Sequence, residues 1–263
     1  PCPVKLPSQT PQTQIIIPMT NQQKSIQFHL SELRKRLVIC VSSILVGTFI
    51  AFAFHRYILD FLSKPLESGS QSGNNALVFT EVTEFFGITM KTSILGGIII
   101  SLPILFYQVV LFVAPGLTKK EKKYLLIFLP GTMIAFVSGI LFGYFVLLPP
   151  ALHFLITFGE GIAEPMIRIG NYISLLVNLL FWMGVAFETP FIMLFIAKLG
   201  IVHPKKMASF RKYSLVLAFI LAAFITPTFD PVNQTIVALP LVVLYEIGIL
   251  MARLGTRSKK DTE

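Results

Sequence analysis

Three carboxylic acids stand where their surroundings offer an anion little. Glu188, in "FWMGVAFETP", is the only charged residue between 169 and 197. Glu32, in "FHLSELRKRL", and Glu121, in "APGLTKKEKKY", are each the lone acid of a basic stretch. An acid ionised at the centre of an apolar span costs ~2.5–3.5 kcal/mol on insertion scales. It is cheapest there as the neutral hydrogen-bond donor. Such a group suits either docking of another helix's polar residue or a proton or cation pathway. Glu32 and Glu121 suit a different ligand. A carboxylate among bases on the polar side of a membrane can receive a guanidinium, and two of them can receive a pair.

Each acid also has a plainer reading. Thr118 and Glu121 have the spacing of a capping box. Leu30, Leu33 and Leu37 make an apolar stripe beside a polar face of His29, Glu32 and Arg36, as in an interfacial helix with its cations at lipid headgroups. That accounts for Arg34, Lys35 and Arg36, but not for Glu32.

Other chemistry is missing from the sequence. It contains no GxxxxGK[ST], HExxH or GxSxG pattern. His29, His55, His153 and His203 fall at or beyond the ends of apolar blocks. Cys2 and Cys40 form no metal-ligand spacing, and Cys40 suits apolar filling. No enzyme, metal or cofactor is expected.

The elements that must position the acids are membrane helices. The chain of 263 residues is 54% hydrophobic and 13% charged, against about 25% charged in soluble domains. Apolar blocks at 37–54, 92–113, 124–148, 172–197, 213–225 and 235–251 predict an all-α protein with six spans. The net charge of +9 does not indicate nucleic-acid binding, because the bases cluster in short segments between the blocks. Of the 22 Lys and Arg, only Arg56, Lys64, Lys91 and Arg168 fall on the opposite side, with Lys5 in the tail. The positive-inside rule then places both termini in the cytoplasm.

Blocks five and six are short for a hydrocarbon core of about 30 Å. Pro103, Pro130 and Pro190 predict kinks in spans two, three and four, hence a curved, open arrangement. Gly131, Ala135, Gly139 and Gly143 form a small-residue stripe for close helix packing. Residues 1–18 read as a polar tail ahead of a start at Met19, 19–257 as one transmembrane domain, and 258–263 as a charged tail.

The stretches "HLSELRKRL", "SKPL", "LFYQVVLFVAPGLTKKE", "GVAFETP" and "FITPTFDPVNQ…ALPLVVLYEIG" resemble the TatC family, the multi-spanning receptor of twin-arginine protein translocation. The resemblance runs from Met19 to about Arg257. It implies binding of the twin-arginine signal peptides of folded proteins at Glu32, Glu121, His29 and Arg36. It also implies contact of Glu188, and of Gln108, Asp230 and Gln234, with single-span TatA- and TatB-type partners. Pro65, Pro115, Pro190, Gly139 and Gly143 take structural roles. The protein is then expected in the cytoplasmic (inner) membrane, in a receptor complex of several copies driven by the proton-motive force. "TPTFD" carries one residue more than the "TPPD" of some members, which loosens the assignment of Asp230. The competing reading is a secondary transporter using Glu188. It would require internal repeats and converging polar residues, and neither is visible in the sequence.

Overall fold

The computed structural model describes residues 20–69, 81–113, 119–158, 167–226 and 230–260, with the backbone alone at 20–29, 67–69, 82, 119–128 and 257–260. The expected tail at 1–18 lies outside these. Among the described residues the elements are helices: α1 Thr20–Ala53, α2 His55–Gly69, α3 Val82–Val113, α4 Lys119–Phe142, a π-turn Gly143–Leu147, α5 Leu148–Thr157, α6 Ile169–Phe187, α7 Thr189–Lys198, α8 Pro204–Ser209, α9 Arg211–Ile225 and α10 Pro231–Lys260. A bilayer forces this result, since only intrahelical hydrogen bonds satisfy a single chain segment's backbone in hydrocarbon.

Five stretches are long and apolar enough to cross: Leu30–Ala53, Thr83–Val113, Leu129–Thr157, Ile169–Lys198 and Pro231–Thr256. The fifth span, α9, has 15 residues, about 22 Å at ~1.5 Å per residue. The apolar block of α10 is short, but the helix is not. It runs 30 residues to Lys260, carrying a basic end beyond the apolar part and taking in the first half of the expected charged tail.

The breaks match the expected prolines only in part. Pro103 and Pro130 sit inside α3 and α4, which continue through them. The third span is interrupted instead by the π-turn, ahead of Pro149 and Pro150. The fourth divides at Glu188, two residues before Pro190.

Packing runs along an open row of helices. α1 lies on α3, α4 on α6, α7 on α10, and α9 on α10. The α1–α3 seam is built from small residues. A Cβ on Gly47 would meet the Gly97 carbonyl oxygen at 2.6 Å, and one on Gly96 would meet the Ala51 Cβ at 2.9 Å. The Ser101 hydroxyl crosses this seam to donate to the Ser43 carbonyl at 2.7 Å. The central core gathers Leu148, Ile173, Leu176 and Met183, all fully buried. A second cluster, Met193, Ala197, Met207, Ile249 and Ala252, joins α7, α8 and α10 on the basic side. Leu45, Phe49, Ile134, Leu217 and Phe224 are exposed apolar residues of the kind lipid covers.

Candidate functional site

The fourth span reaches Glu188 as a break between two helices. Its backbone stays in the αR region, at φ −72° and ψ −20°, and its N–H bonds the Val185 carbonyl at 3.1 Å, a tighter turn than α-helix. Pro190 has no N–H, so it cannot close a bond back to Ala186. Its Cα lies 3.3 Å from where a Cβ on Gly248 would sit, so α10 presses directly on the turn.

Glycines on α4 and α6 bring the third span equally close. A Cβ on Gly139 would sit 2.5 Å from the Met183 carbonyl oxygen, and one on Gly184 would sit 2.8 Å from the Phe136 ring. A Cβ on Gly143 would touch Leu180 at 3.2 Å. The Glu188 side chain is therefore enclosed: the residue is 7% exposed, lies beside the Phe136 backbone, and has no hydrogen-bond partner for Oε1 among the described residues. A buried carboxyl oxygen left unsatisfied costs on the order of 1–3 kcal/mol.

Glu32 lies on α1, on the basic side. Arg36, one turn on, holds its carboxylate through Nε at 3.2 Å and through Nη2, both reaching Oε1. Arg34 and Lys35 are exposed. His29 is on the same helix, and Glu121 is in the first turn of α4; the side chains of both lie outside the described residues, as do Pro115 and Thr118. Gln108 is half-buried in the last turns of α3, with no hydrogen bond among the described residues.

Asp230 and Gln234 belong to the turn joining the last two spans. Asp230 N-caps α10: its Oδ1 accepts the Asn233 N–H at 2.6 Å and its Oδ2 accepts the Asn233 amide at 3.2 Å. This is the expected work of Asp at such a position. The Gln234 side-chain amide donates to the Phe219 carbonyl at 2.9 Å and ties α10 to α9. The structure thus sets the expected residues apart: Glu32 on α1, Gln108 near the end of α3, Glu121 at the start of α4, Glu188 in the α4–α6–α7 seam, and Asp230 and Gln234 in the α9–α10 turn. Glu246 on α10 is paired with Arg211 at 2.8 Å, and Asn178 on α6 is exposed.

Sequence reasoning missed two constellations on the acidic side. Pro65 sits inside α2 and frees the Phe61 carbonyl. The Tyr144 hydroxyl donates to that carbonyl at 2.6 Å, and the Tyr172 hydroxyl to the adjacent Leu62 carbonyl at 2.7 Å. Tyr144 also stacks on Phe61, with ring centroids 4.7 Å apart. The signal was Pro65 itself, because a proline within a helix leaves a carbonyl in need of a donor. In the second constellation Glu84, its side chain 8% exposed, accepts the Gly170 N–H at 2.9 Å and pairs with Arg168 at 3.3 Å. Arg168 also reaches Glu81 at 3.5 Å. This fastens the start of α6 to the start of α3.

Comparison with known proteins gives this architecture its relatives. The family model for the Sec-independent protein translocase protein TatC matches residues 28–240. A protein of that name from Carboxydothermus hydrogenoformans is 40% identical over 235 residues, covering 89% of this chain and 95% of that protein. Its counterpart in Aquifex aeolicus is 38% identical, covering 89% and 97%. A crystal structure of a twin-arginine translocase receptor, TatC, superposes with a TM-score of 0.79 at 38% identity, covering 87% of this chain and 99% of that one. The lengths agree, the helices align, and the segment carrying Glu32 falls within the matched region; the chain belongs to the TatC family of Sec-independent protein translocase proteins.

Proposed function

We propose that this protein is the signal-peptide receptor of a twin-arginine translocation system, binding the paired arginines of folded substrates and recruiting single-span TatA- and TatB-type partners. Membership of the translocase family along nearly the whole chain carries this reading. Glu32 lies within the matched segment, as the only acid among Arg34, Lys35 and Arg36. The basic side is the cytoplasmic side of the inner membrane, with both termini on it, by the distribution of Lys and Arg. Glu188 is the docking point for a polar residue of a partner helix, supported by its unpartnered Oε1 at a helix break. Several copies assemble into the working complex, and the proton-motive force drives export.

The transporter alternative lacks support. Among the described residues Glu188 gathers no converging set of polar side chains, and Glu246, the acid within the last span, is paired with Arg211.

The experiment is site-specific crosslinking of a twin-arginine signal peptide to the membrane-inserted protein. Replacing both Glu32 and Glu121 with Ala should abolish the crosslink and leave insertion intact. Each charge-assisted bond between an arginine and a carboxylate is worth roughly 1.5–3 kcal/mol. An unchanged crosslink refutes the assignment.

A further inference from the structure

Arg34, Lys35 and Arg36 are consecutive bases, but they stand in different places. Arg34 and Lys35 are exposed, whereas the Arg36 and Glu32 side chains are only 18% and 21% exposed and grip each other. Both contacting nitrogens of Arg36 converge on Oε1, and Oε2 receives no hydrogen bond among the described residues. The carboxylate proposed to receive a ligand's guanidinium already holds one.

The geometry assigns Arg36 the role of a resident guanidinium that competes with the ligand for Glu32 and so sets the specificity for paired arginines. This rests on the receptor reading above. Arg36 is fixed one turn from Glu32 on a continuous helix, so its contact re-forms without any encounter, at high effective concentration. A ligand with one arginine exchanges one guanidinium for an equivalent one and gains little. A lysine is worse placed, because a point charge does not reproduce the planar, two-pronged contact it must displace. Two adjacent arginines gain a second contact in the same event, and that second contact drives the exchange.

The local charge points the same way. Arg34, Lys35 and Arg36 outnumber Glu32 three to one, so the segment holds a singly charged cationic ligand weakly. Arg36 is in this sense a specificity-determining residue that touches the binding carboxylate, not the ligand.

The test uses the full chain, purified in detergent, and three synthetic signal peptides whose key pair is Arg-Arg, Lys-Arg or Lys-Lys. Binding is measured for wild type, Arg36→Gln, Arg36→Lys and Glu32→Gln. Wild type should prefer the Arg-Arg peptide to Lys-Arg by about tenfold or more, the scale of one charge-assisted contact. Arg36→Gln should raise Lys-Arg affinity by roughly three- to tenfold and narrow that preference. Arg36→Lys keeps the charge but loses the two-pronged grip, and should move the ratio the same way by less; it carries the test if the Gln variant folds poorly. An unchanged ratio in both variants, or equal weakening of all peptides, overturns the role of Arg36. Retained Arg-Arg binding in Glu32→Gln overturns the receptor site itself, and is read separately.

Discussion

Glu188 and Glu32 are both acids in basic or apolar company, and their surroundings treat them oppositely. Glu32 is neutralised at once by an arginine on its own helix. Glu188 is enclosed at a turn where the helices packed around it contribute backbone or apolar atoms, and one oxygen is left waiting. Glu188→Gln keeps shape and a hydrogen-bonding head, so it should retain association with a single-span partner in co-purification. Glu188→Ala should lose that association while the protein still elutes as a folded species; loss of expression alone would mean that the acid only supports the fold. The tyrosines behave differently because their donors already have acceptors. Tyr172→Phe removes the interhelical hydrogen bond to the Leu62 carbonyl and should lower stability by ~0.6–1.7 kcal/mol, the range measured for hydrogen bonds between membrane helices. Thermal unfolding in detergent reads this, with Tyr57→Phe, at an exposed site, as the unaffected control.

At the scale of helices, contact between elements depends on missing side chains. Lipid removes the hydrophobic drive between spans, so close backbone approach must supply the attraction. Gly139 and Gly87 make a matched pair for measuring this. A Cβ on Gly139 runs into the Met183 carbonyl, which is backbone and cannot rotate away, whereas one on Gly87 meets nothing within 4 Å. Gly139→Ala should destabilise by at least ~1–3 kcal/mol, as overpacking does. Gly87→Ala should be neutral or stabilise by up to ~1 kcal/mol through helix propensity. Equal effects would show that glycine content, not the seam, matters. The same scale explains the kinks. A proline removes a donor wherever it falls, but whether the helix breaks depends on what satisfies the freed carbonyl. α2 passes through Pro65 with Tyr144 as the substitute donor, while the fourth span gives way beside Pro190.

Across the whole molecule, the row of helices has unequal ends. α1 leans mainly on α3 at one end, and α9 leans mostly on α10 at the other. α9 is about 22 Å long against a core of ~30 Å, and it buries only Ala218, Ala222 and Ile225. The bilayer should therefore be thinner beside α9. Nitroxide depth measurements at Leu217 and Phe224 should give shallower burial than at Leu45 and Phe49 of α1; ordinary depth at both would reject local thinning.

Much of this is legible in the chain. Six apolar blocks, their bases on one side and the three isolated acids follow from composition and spacing, because the bilayer imposes one length and one secondary structure on any span. Charge asymmetry implies orientation for the same reason. Contacts between residues far apart in the chain are not legible there. Tyr144 meets Phe61, Glu84 meets Gly170, Gln234 meets Phe219 and Arg211 meets Glu246. None follows from local periodicity, since each depends on which helix lies beside which and at what rotation. Asp230 shows the division within one residue. The resemblance gives it only a contact with partners, whereas the fold shows it capping α10 with both its oxygens on Asn233. The sequence by itself determined that Glu188 is isolated along the chain; only the tertiary structure decided that it is enclosed, because the glycines that admit α4 and α10 to its turn act across space.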